Sequence, residues 1–274
     1  MRRFQQIDVF TSRPFLGNPV AVVLDGEGLA TEDMQRIARW TNLSETTFLL
    51  PSREADYRVR IFTPRNELPF AGHPTIGSAY AAIRAGIAKP RGGALKQECA
   101  AGVLSLRTED SKIYVRSPRV KTTEMKNVAS SFGVPLAPPA HLLRVDVGPV
   151  WLVGEMTDTR ALAALKPDMT AVAEWTSSLG ATGVTVFAPS GESDCAIHVR
   201  SFAPAGGIAE DPVCGSGNIS VAAYLRHYGR AKPSYVARQG MQLGRDGRVD
   251  MRIEGDEIWL GGEAVTCVEG TLAA

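Results

Sequence analysis

The stretch Ala209-Glu210-Asp211-Pro212-Val213-Cys214-Gly215-Ser216-Gly217-Asn218 crowds an acid, a thiol and a hydroxyl into one turn. A short strand, Val199-Arg200-Ser201-Phe202, feeds it, and a helix from Ile219 to Tyr228 runs out of it. Gly215 and Gly217 remove side chains where that helix begins, so its first backbone N–H groups stand open to an anion. Such a turn suits a small carboxylate and a proton transfer. A second Gly-containing turn, Phe70-Ala71-Gly72-His73-Pro74, precedes another Ala-rich helix.

Each residue of these turns has a chemical and a plain reading. Glu45 opens the apolar strand Thr46 to Leu50. A carboxylate there is desolvated, which raises its pKa toward the range of a general acid/base; the plain alternative is an exposed strand-end Glu. His73, just before a helix N-terminus, has its cation disfavoured by the dipole and could relay a proton as neutral imidazole; otherwise it caps the turn. Asp211 and Ser216 can cap the second helix, which is compatible with holding a substrate. Cys214 near a helix N-terminus is expected to have a lowered pKa and is either a base or a packed thiol.

The elements that must position these residues recur in order. Phe4 to Phe10 and Val20 to Leu24 read as strands around the turn Phe15-Leu16-Gly17-Asn18-Pro19. Thr31 is the expected N-cap of a helix carrying Met34, Ile37, Ala38 and Thr41. Asn42-Leu43-Ser44 breaks it. Asp56 to Phe62 is a strand, Thr63 to Pro74 a long turn, and Thr75 to Ala85 a helix stopped by Gly86. Strands near Ala101 to Arg107 and Lys112 to Val115 end the first half. Ser117 to Pro139 reads as a crossover with a short helix near Glu124 to Ser131.

From Leu142 the order repeats. Arg144 to Val147 and Gly148 to Val153 are strands, and the second answers Asn18 to Val23. The helix Asp168 to Thr176 answers Asp33 to Thr41. Val184 to Pro189 answers Thr46 to Pro51, and Val199 to Pro204 answers Val59 to Pro64. Cys214-Gly215-Ser216 answers Ala71-Gly72-His73. Val249 to Ile253 and Glu257 to Leu260 follow, and a last strand, Ala264 to Val268, is left to return to the first half. These matches predict an α+β fold of two pseudo-symmetric domains, 1–117 (joined by 263–274) and 118–262. Both post-motif helices are apolar on nearly every face, so each is expected at the centre of a strand-rich shell. Their N-termini would then point into one cleft. Trp40 and Trp175 are expected in the core.

Where the halves differ, chemistry is expected. Glu45 answers Gly183, Ala71 answers Cys214, and His73 answers Ser216. Asp211 has no acidic counterpart in the tighter first turn. The expected set is therefore Glu45 and His73 from one half, with Asp211, Cys214 and Ser216 from the other.

Composition narrows the function classes. The chain has 274 residues, 44% hydrophobic and 22% charged, with a net charge of +1. That balance argues against nucleic-acid and membrane-surface partners. No apolar run reaches the roughly 18 residues that span a bilayer. No apolar core follows Met1-Arg2-Arg3, so a cytoplasmic location is expected. The four cysteines, Cys99, Cys195, Cys214 and Cys267, form no C-x-x-C pair, so neither a zinc site nor a disulfide framework is expected. Cys99, Cys195 and Cys267 are expected as small buried hydrophobes. No G-x-G-x-x-G turn follows the first strand, which disfavours a dinucleotide enzyme.

Across nearly its whole length the chain resembles the PhzF-like (phenazine-biosynthesis isomerase-like) family. The likeness rests on Phe15-Leu16-Gly17-Asn18-Pro19, Asn42-Leu43-Ser44-Glu45-Thr46, Phe70-Ala71-Gly72-His73-Pro74-Thr75-Ile76-Gly77 and Glu210-Asp211-Pro212-Val213-Cys214-Gly215-Ser216. It implies a diaminopimelate epimerase-like fold of two barrel-like halves, each wrapped around a central helix. It also implies a cofactor-free isomerase, often homodimeric, acting on a small carboxylate. By motif match, Glu45, His73 and Asp211 would be catalytic, with Glu45 shuttling the proton. Gly72, Cys214, Gly215, Ser216 and Gly217 would bind substrate. In the phenazine enzyme the Cys214 position is usually Thr, and Gly217-Asn218 is usually Ala-His. Related two-thiol racemases carry Cys at both turns, whereas here Ala71 faces Cys214 in the alignment. Two rivals follow: a one-thiol racemase or epimerase of an amino or hydroxy acid using Cys214 with Glu45, and a non-catalytic binding protein on the same fold.

Overall fold

A computed structural model describes residues 1–117, 120–125, 136–138 and 141–274. The first run of elements is β1 (Arg2–Val9), β2 (Asn18–Val23), α1 (Thr31–Thr41), β3 (Thr46–Leu50), β4 (Tyr57–Phe62), β5 (Glu67–Leu68), α2 (Gly72–Arg84), β6 (Ala94–Cys99), β7 (Gly102–Glu109) and β8 (Lys112–Arg116). The second is β9 (Lys121–Met125), β10 (Leu142–Asp146), β11 (Val150–Glu155), α3 (Thr159–Ala164), α4 (Met169–Ser178), β12 (Gly183–Pro189), β13 (Ile197–Ala203), β14 (Ile208–Asp211), α5 (Gly215–His227), β15 (Ser234–Gln239), β16 (Gly247–Glu254), β17 (Glu257–Gly262) and β18 (Ala264–Leu272). The chain divides into two compact units, Met1–Arg116 with Gly261–Ala274, and Ser117–Leu260.

Within the first unit β18 pairs with β1, β1 with β2, β2 with β3, β3 with β4, β4 with β6, β6 with β7 and β7 with β8. The second unit runs through the same order, from β9–β10 to β15–β16. Two pairs in each unit are parallel: β2–β3 and β4–β6, then β11–β12 and β13–β15. Parallel neighbours need a crossover connection. In the first unit α1 and α2 supply these, and in the second α3 with α4, and α5. The fold is thus α+β, two pseudo-symmetric units of mixed, barrel-like sheet, each around a central helix.

The central helices are apolar because their own sheets surround them. α2 touches β1, β2, β3, β4, β8 and β18, and α5 touches β9 to β12 and β16. Ile76, Ala79, Ala81 and Ala82 of α2 are buried, as are Ile219 and Val221 to Ala223 of α5. Gly77 lets α2 lie close: a Cβ there would stand 2.4 Å from Val20 Cγ1. α1 instead covers one face with Met34 and Ala38 against Val23, Phe48 and Phe62.

Several expectations change at the element level. Both central helices start earlier than read, at Gly72 and Gly215, because Ala71 and Cys214 already take the extended N-cap conformation. Pro74 therefore lies in the first turn of α2, where its missing N–H costs nothing. Ala30, not Thr31, is the N-cap of α1; the Thr31 hydroxyl accepts from Arg60 instead. Strands β5, β6, β14 and β15, and helix α3, escaped the sequence reading. Glu124 and Met125 belong to β9 rather than a helix, and the rest of the helix expected there lies outside the described residues. Trp40 is not in the core: it is 78% exposed on the outer face of α1, while Trp175 packs partly buried against the core cluster that includes Val172 and Phe202. Cys267 is half-buried on β18, while the other three cysteines are buried, and all four are thiols.

Candidate active site

Glu45 sits between the end of α1 and the start of β3. Asn42 turns the chain out of α1 in the left-handed conformation at φ 54°. The Glu45 carbonyl then accepts from the Ala21 N–H at 3.3 Å, which ties the residue to β2 before its strand begins. Its side chain points inward and is 14% exposed. Burial raises its pKa to about 7, partly offset by a hydrogen bond from Ser44.

His73, the second residue of α2, is buried. Its Nε2 lies 3.3 Å from Glu45 Oε2. The two atoms meet the distance of an ion pair, but not the alignment of a hydrogen bond. Gly72 opens the helix beside them.

Behind these residues lies a buried polar support. Thr47 and Ser78 bond each other at 2.8 Å. Gln97 accepts from Tyr57 Oη at 2.7 Å and donates to Thr75 Oγ1 at 3.2 Å. Gln97 and Thr75 are fully buried, so α2 is held to β6 through its first turn.

The second unit builds its turn the same way with different side chains. Gln239 of β15 accepts from the Cys214 N–H at 3.2 Å and from Asn218 Nδ2 at 2.9 Å, and it donates to the Asp211 carbonyl at 3.0 Å. The Asp211 carboxylate accepts from the Val213 N–H. Cys214 Sγ accepts from the Gly217 N–H at 3.3 Å, capping α5. Among the described residues, the N–H groups of Gly215 and Ser216 have no acceptor, as expected of a helix start. They remain available to an anion.

Cys214 departs from its expected acidity. Its thiol is pushed well above the usual range, by burial and then by the nearby Asp211 carboxylate, despite the helix N-terminus. A low-pKa thiolate needs an electropositive, accessible setting; here the thiol is enclosed and faces an anion.

The asymmetry has a steric cause. The registers Thr46↔Phe62 and Val184↔Phe202 put Glu45 and Gly183 in matching places, each one residue before its pair. A Cβ on Gly183 would stand 2.2 Å from the Phe202 carbonyl and 2.8 Å from the Trp151 ring. No side chain fits there. The Trp151 indole N–H instead donates to Ser216 Oγ at 2.9 Å. The first unit carries a carboxylate and an imidazole where the second carries an indole and a hydroxyl.

Each unit therefore gathers its own share of the expected residues: Glu45, Gly72 and His73 in one, and Asp211, Cys214, Gly215, Ser216 and Gly217 in the other. The sequence reading missed Trp151, Gln239, Gln97 and Ser44. Gln97 and Gln239 lie on β6 and β15, the strands not read. Trp151 had a signal, a large aromatic aligned with Ala21. No helix among the described residues is long and apolar enough to cross a membrane.

Known structures place the architecture first. A hydroxyproline epimerase from Agrobacterium vitis shares the fold at a TM-score of 0.65 and 16% identity, over 98% of this chain and 93% of that one. The overlap with a Bacillus anthracis phenazine biosynthesis protein of the PhzF family is closer: a TM-score of 0.89 and 25% identity, over 100% of this chain and 99% of that one. All three share one architecture, two units of mixed sheet around central helices. The model of the phenazine biosynthesis-like (PhzC-PhzF) family matches residues 7–270, and the chain belongs to that family and to its isomerase class. Trans-2,3-dihydro-3-hydroxyanthranilate isomerase of Pseudomonas aeruginosa is 37% identical over 284 residues, 98% of this chain and 95% of that protein. Antisense-enhancing sequence 1 of Schizosaccharomyces pombe is 37% identical over 292 residues, 97% of each.

Proposed function

We propose that this protein is a cofactor-independent isomerase that moves a proton between two carbons of a small carboxylate, with Glu45 as the acid/base. The observation that carries the reading is Glu45 itself: a buried carboxylate with a pKa of about 7, 3.3 Å from the His73 imidazole. Near neutral pH such a group is populated in both protonation states. It can take a proton from one carbon and return it at another. His73 assists by holding or relaying that proton.

The backbone N–H groups at Gly72-His73 and Gly215-Ser216 hold the substrate carboxylate or the developing oxyanion. Asp211, Cys214, Ser216 and Gly217 complete the binding set. Trp151 can only donate, so Ser216 Oγ accepts from it, and the hydroxyl hydrogen is left to point either at Cys214 Sγ, 3.6 Å away, or at a bound acceptor. A substrate carboxylate is such an acceptor. The first compound to test is trans-2,3-dihydro-3-hydroxyanthranilate, the substrate named for the Pseudomonas aeruginosa relative. In this reading the protein works as a homodimer, and its two units arose by internal duplication.

The test is proton NMR in deuterated buffer with this compound and a panel of amino and hydroxy acids. Deuterium entering one carbon of one compound with wild type, and not with Glu45→Gln, is the expected outcome. Full turnover by Glu45→Gln would sink the reading. A one-thiol epimerase needs a thiolate at Cys214, and the raised pKa of that thiol weighs against it. Cys214→Ser separates the two: turnover persists if Glu45 is the acid/base and vanishes if the thiol is. A binding protein on this fold would show saturable binding and no exchange.

A further inference from the structure

Away from these turns, the loop between β12 and β13 brings three ligand-type side chains together at i, i+3 and i+6: Glu192, Cys195 and His198. The loop is closed by the Ser190 N–H bonding the Ala196 carbonyl and the Ala196 N–H bonding Val236, both at 2.8 Å. That closure turns Glu192 back over the start of β13, where His198 stands. His198 Nε2 lies 3.2 Å from Glu192 Oε1. Cys195 Sγ lies 3.4 Å from Glu192 Oε2. The three ligand atoms all lie within 4.8 Å of one another.

These separations suit a cation. A tetrahedral zinc ion with bonds of about 2.0–2.3 Å sets its N, O and S ligands roughly 3.3–3.6 Å apart. The His198 side chain is 10% exposed, and its Nε2 is buried without an aligned hydrogen bond, although a carboxylate oxygen is 3.2 Å away. With the ring proton on Nδ1, Nε2 and the carboxylate are two acceptors face to face, and a shared cation satisfies both; with Nε2 protonated the two form an ion pair instead. A buried, unpaired polar atom is otherwise costly. The Glu192 side chain is 40% exposed, so an ion and a water ligand can enter from solvent.

The surrounding charges agree. Arg238 holds Glu192 Oε2 at 2.8 Å, as an orienting partner does for a ligating carboxylate. Arg238 is itself neutralised by Asp246 at 2.7 Å, and Arg248 bridges Asp246 and Asp194. Three carboxylates (Glu192, Asp194, Asp246) against two guanidinium groups leave this network at −1. Ionising the thiol takes it to −2, the charge a divalent cation balances.

The geometry points to a zinc site formed by Glu192, Cys195 and His198, with water as the fourth ligand, that pins the β12–β13 loop onto β13. The mixed thiolate, imidazole and carboxylate set matches the preferences of zinc. On binding, the Cys195 S–H bond breaks, a zinc–sulfur bond forms, and the proton leaves to solvent. No electrons are transferred. The site shares no residue with the Glu45 set and holds no substrate.

Cobalt(II) titration of the full-length, metal-stripped protein tests it. Wild type should bind one ion per chain with the absorption of a tetrahedral cobalt–thiolate centre. Cys195→Ser should abolish the thiolate band, and Cys214→Ser should retain it. Glu192→Gln, a change on an exposed loop, and His198→Gln should each weaken affinity at least tenfold. Zinc(II) should raise the melting temperature of wild type and not that of Cys195→Ser. Far-UV circular dichroism of each metal-free variant should match wild type. Absence of a thiolate band in wild type, or its persistence in Cys195→Ser, overturns the assignment.

Discussion

A buried carboxylate with a pKa near 7 costs the folded protein stability, and that cost identifies it experimentally. The free Glu titrates at 4.5 and Glu45 at about 7 in the fold. The folded state therefore binds the proton more tightly than the unfolded one. Stability is fully present below pH 4.5 and is lost as pH rises toward 7. At about 1.36 kcal/mol per pH unit, the loss reaches about 3 kcal/mol above pH 7. Glu45→Gln removes this cost. The expected outcome in urea denaturation is equal stability of the two proteins at pH 4.5 and a more stable variant at pH 8. The same substitution should lower kcat/KM by roughly 10²- to 10⁴-fold, the usual worth of a general acid/base. If Glu45 must start as the base, wild-type kcat/KM rises with pH through about 7, and the variant lacks that limb. Trp151 acts one residue removed, by orienting Ser216. Trp151→Phe should raise KM roughly 2- to 10-fold, the worth of one hydrogen bond. Steady-state kinetics of the Trp151→Phe/Ser216→Ala pair should show less than additive losses, because both remove one interaction.

Helix placement governs these residues at the scale of elements. α2 and α5 are crossover helices laid on their own sheets, and their first turns are anchored by a buried glutamine from β6 or β15. Matching Arg–Glu pairs brace the strands beneath: Arg60 with Glu67 at 2.7 Å, and Arg200 with Glu210 at 2.8 Å. Each arginine also stacks on the phenylalanine two residues later, Phe62 or Phe202. Close helix approach depends on small residues. Gly77→Ala would set a methyl 2.4 Å from Val20 Cγ1 and 3.0 Å from Val9 Cγ2. Overpacking of this kind costs about 1–3 kcal/mol. Thermal denaturation should show the loss, while Gly28→Ala, which meets nothing within 4 Å, should report only its positive φ of 80°. Because α2 carries His73, a displaced helix should also lower kcat, and a Gly77→Ala protein with unchanged Tm and kcat would contradict this packing.

At the scale of the whole molecule, the last strand completes the first unit. β18 pairs with β1 from Arg2↔Leu272 to Val9↔Ala264. A chain truncated after Gly262 leaves β1 with an open edge and strips part of the cover from α2. Such a truncation should lower the urea midpoint and speed amide exchange in β1 and β2, while β12 and β13 keep their protection. Much of this architecture was legible in the chain. The apolar strands, the repeated order of elements and the two Gly-containing turns could be read because each rests on local chemistry: period-two alternation, chain reversal at glycine and proline, and small residues at helix starts. Glu45 could be singled out because a carboxylate at the head of an apolar strand contradicts its surroundings. β6 and β15 were missed because Lys96-Gln97-Glu98 and Ala237-Arg238-Gln239 look polar, and their glutamines are buried only through long-range partners. Trp40 was misplaced because it was read by its residue type, although it lies off the Met34, Ile37 and Ala38 face that packs on the sheet. The acidity of Cys214 went the other way because burial and the facing Asp211 outweigh a helix N-terminus, and neither burial nor a facing charge is a property of neighbours in sequence. By itself, then, the sequence determined most of the elements, their repeated order and the residue types at the turns. The tertiary structure alone decided the 3.3 Å approach of Glu45 to His73, the indole over Gly183 and the state of each buried group, because these depend on distances between residues far apart in the chain.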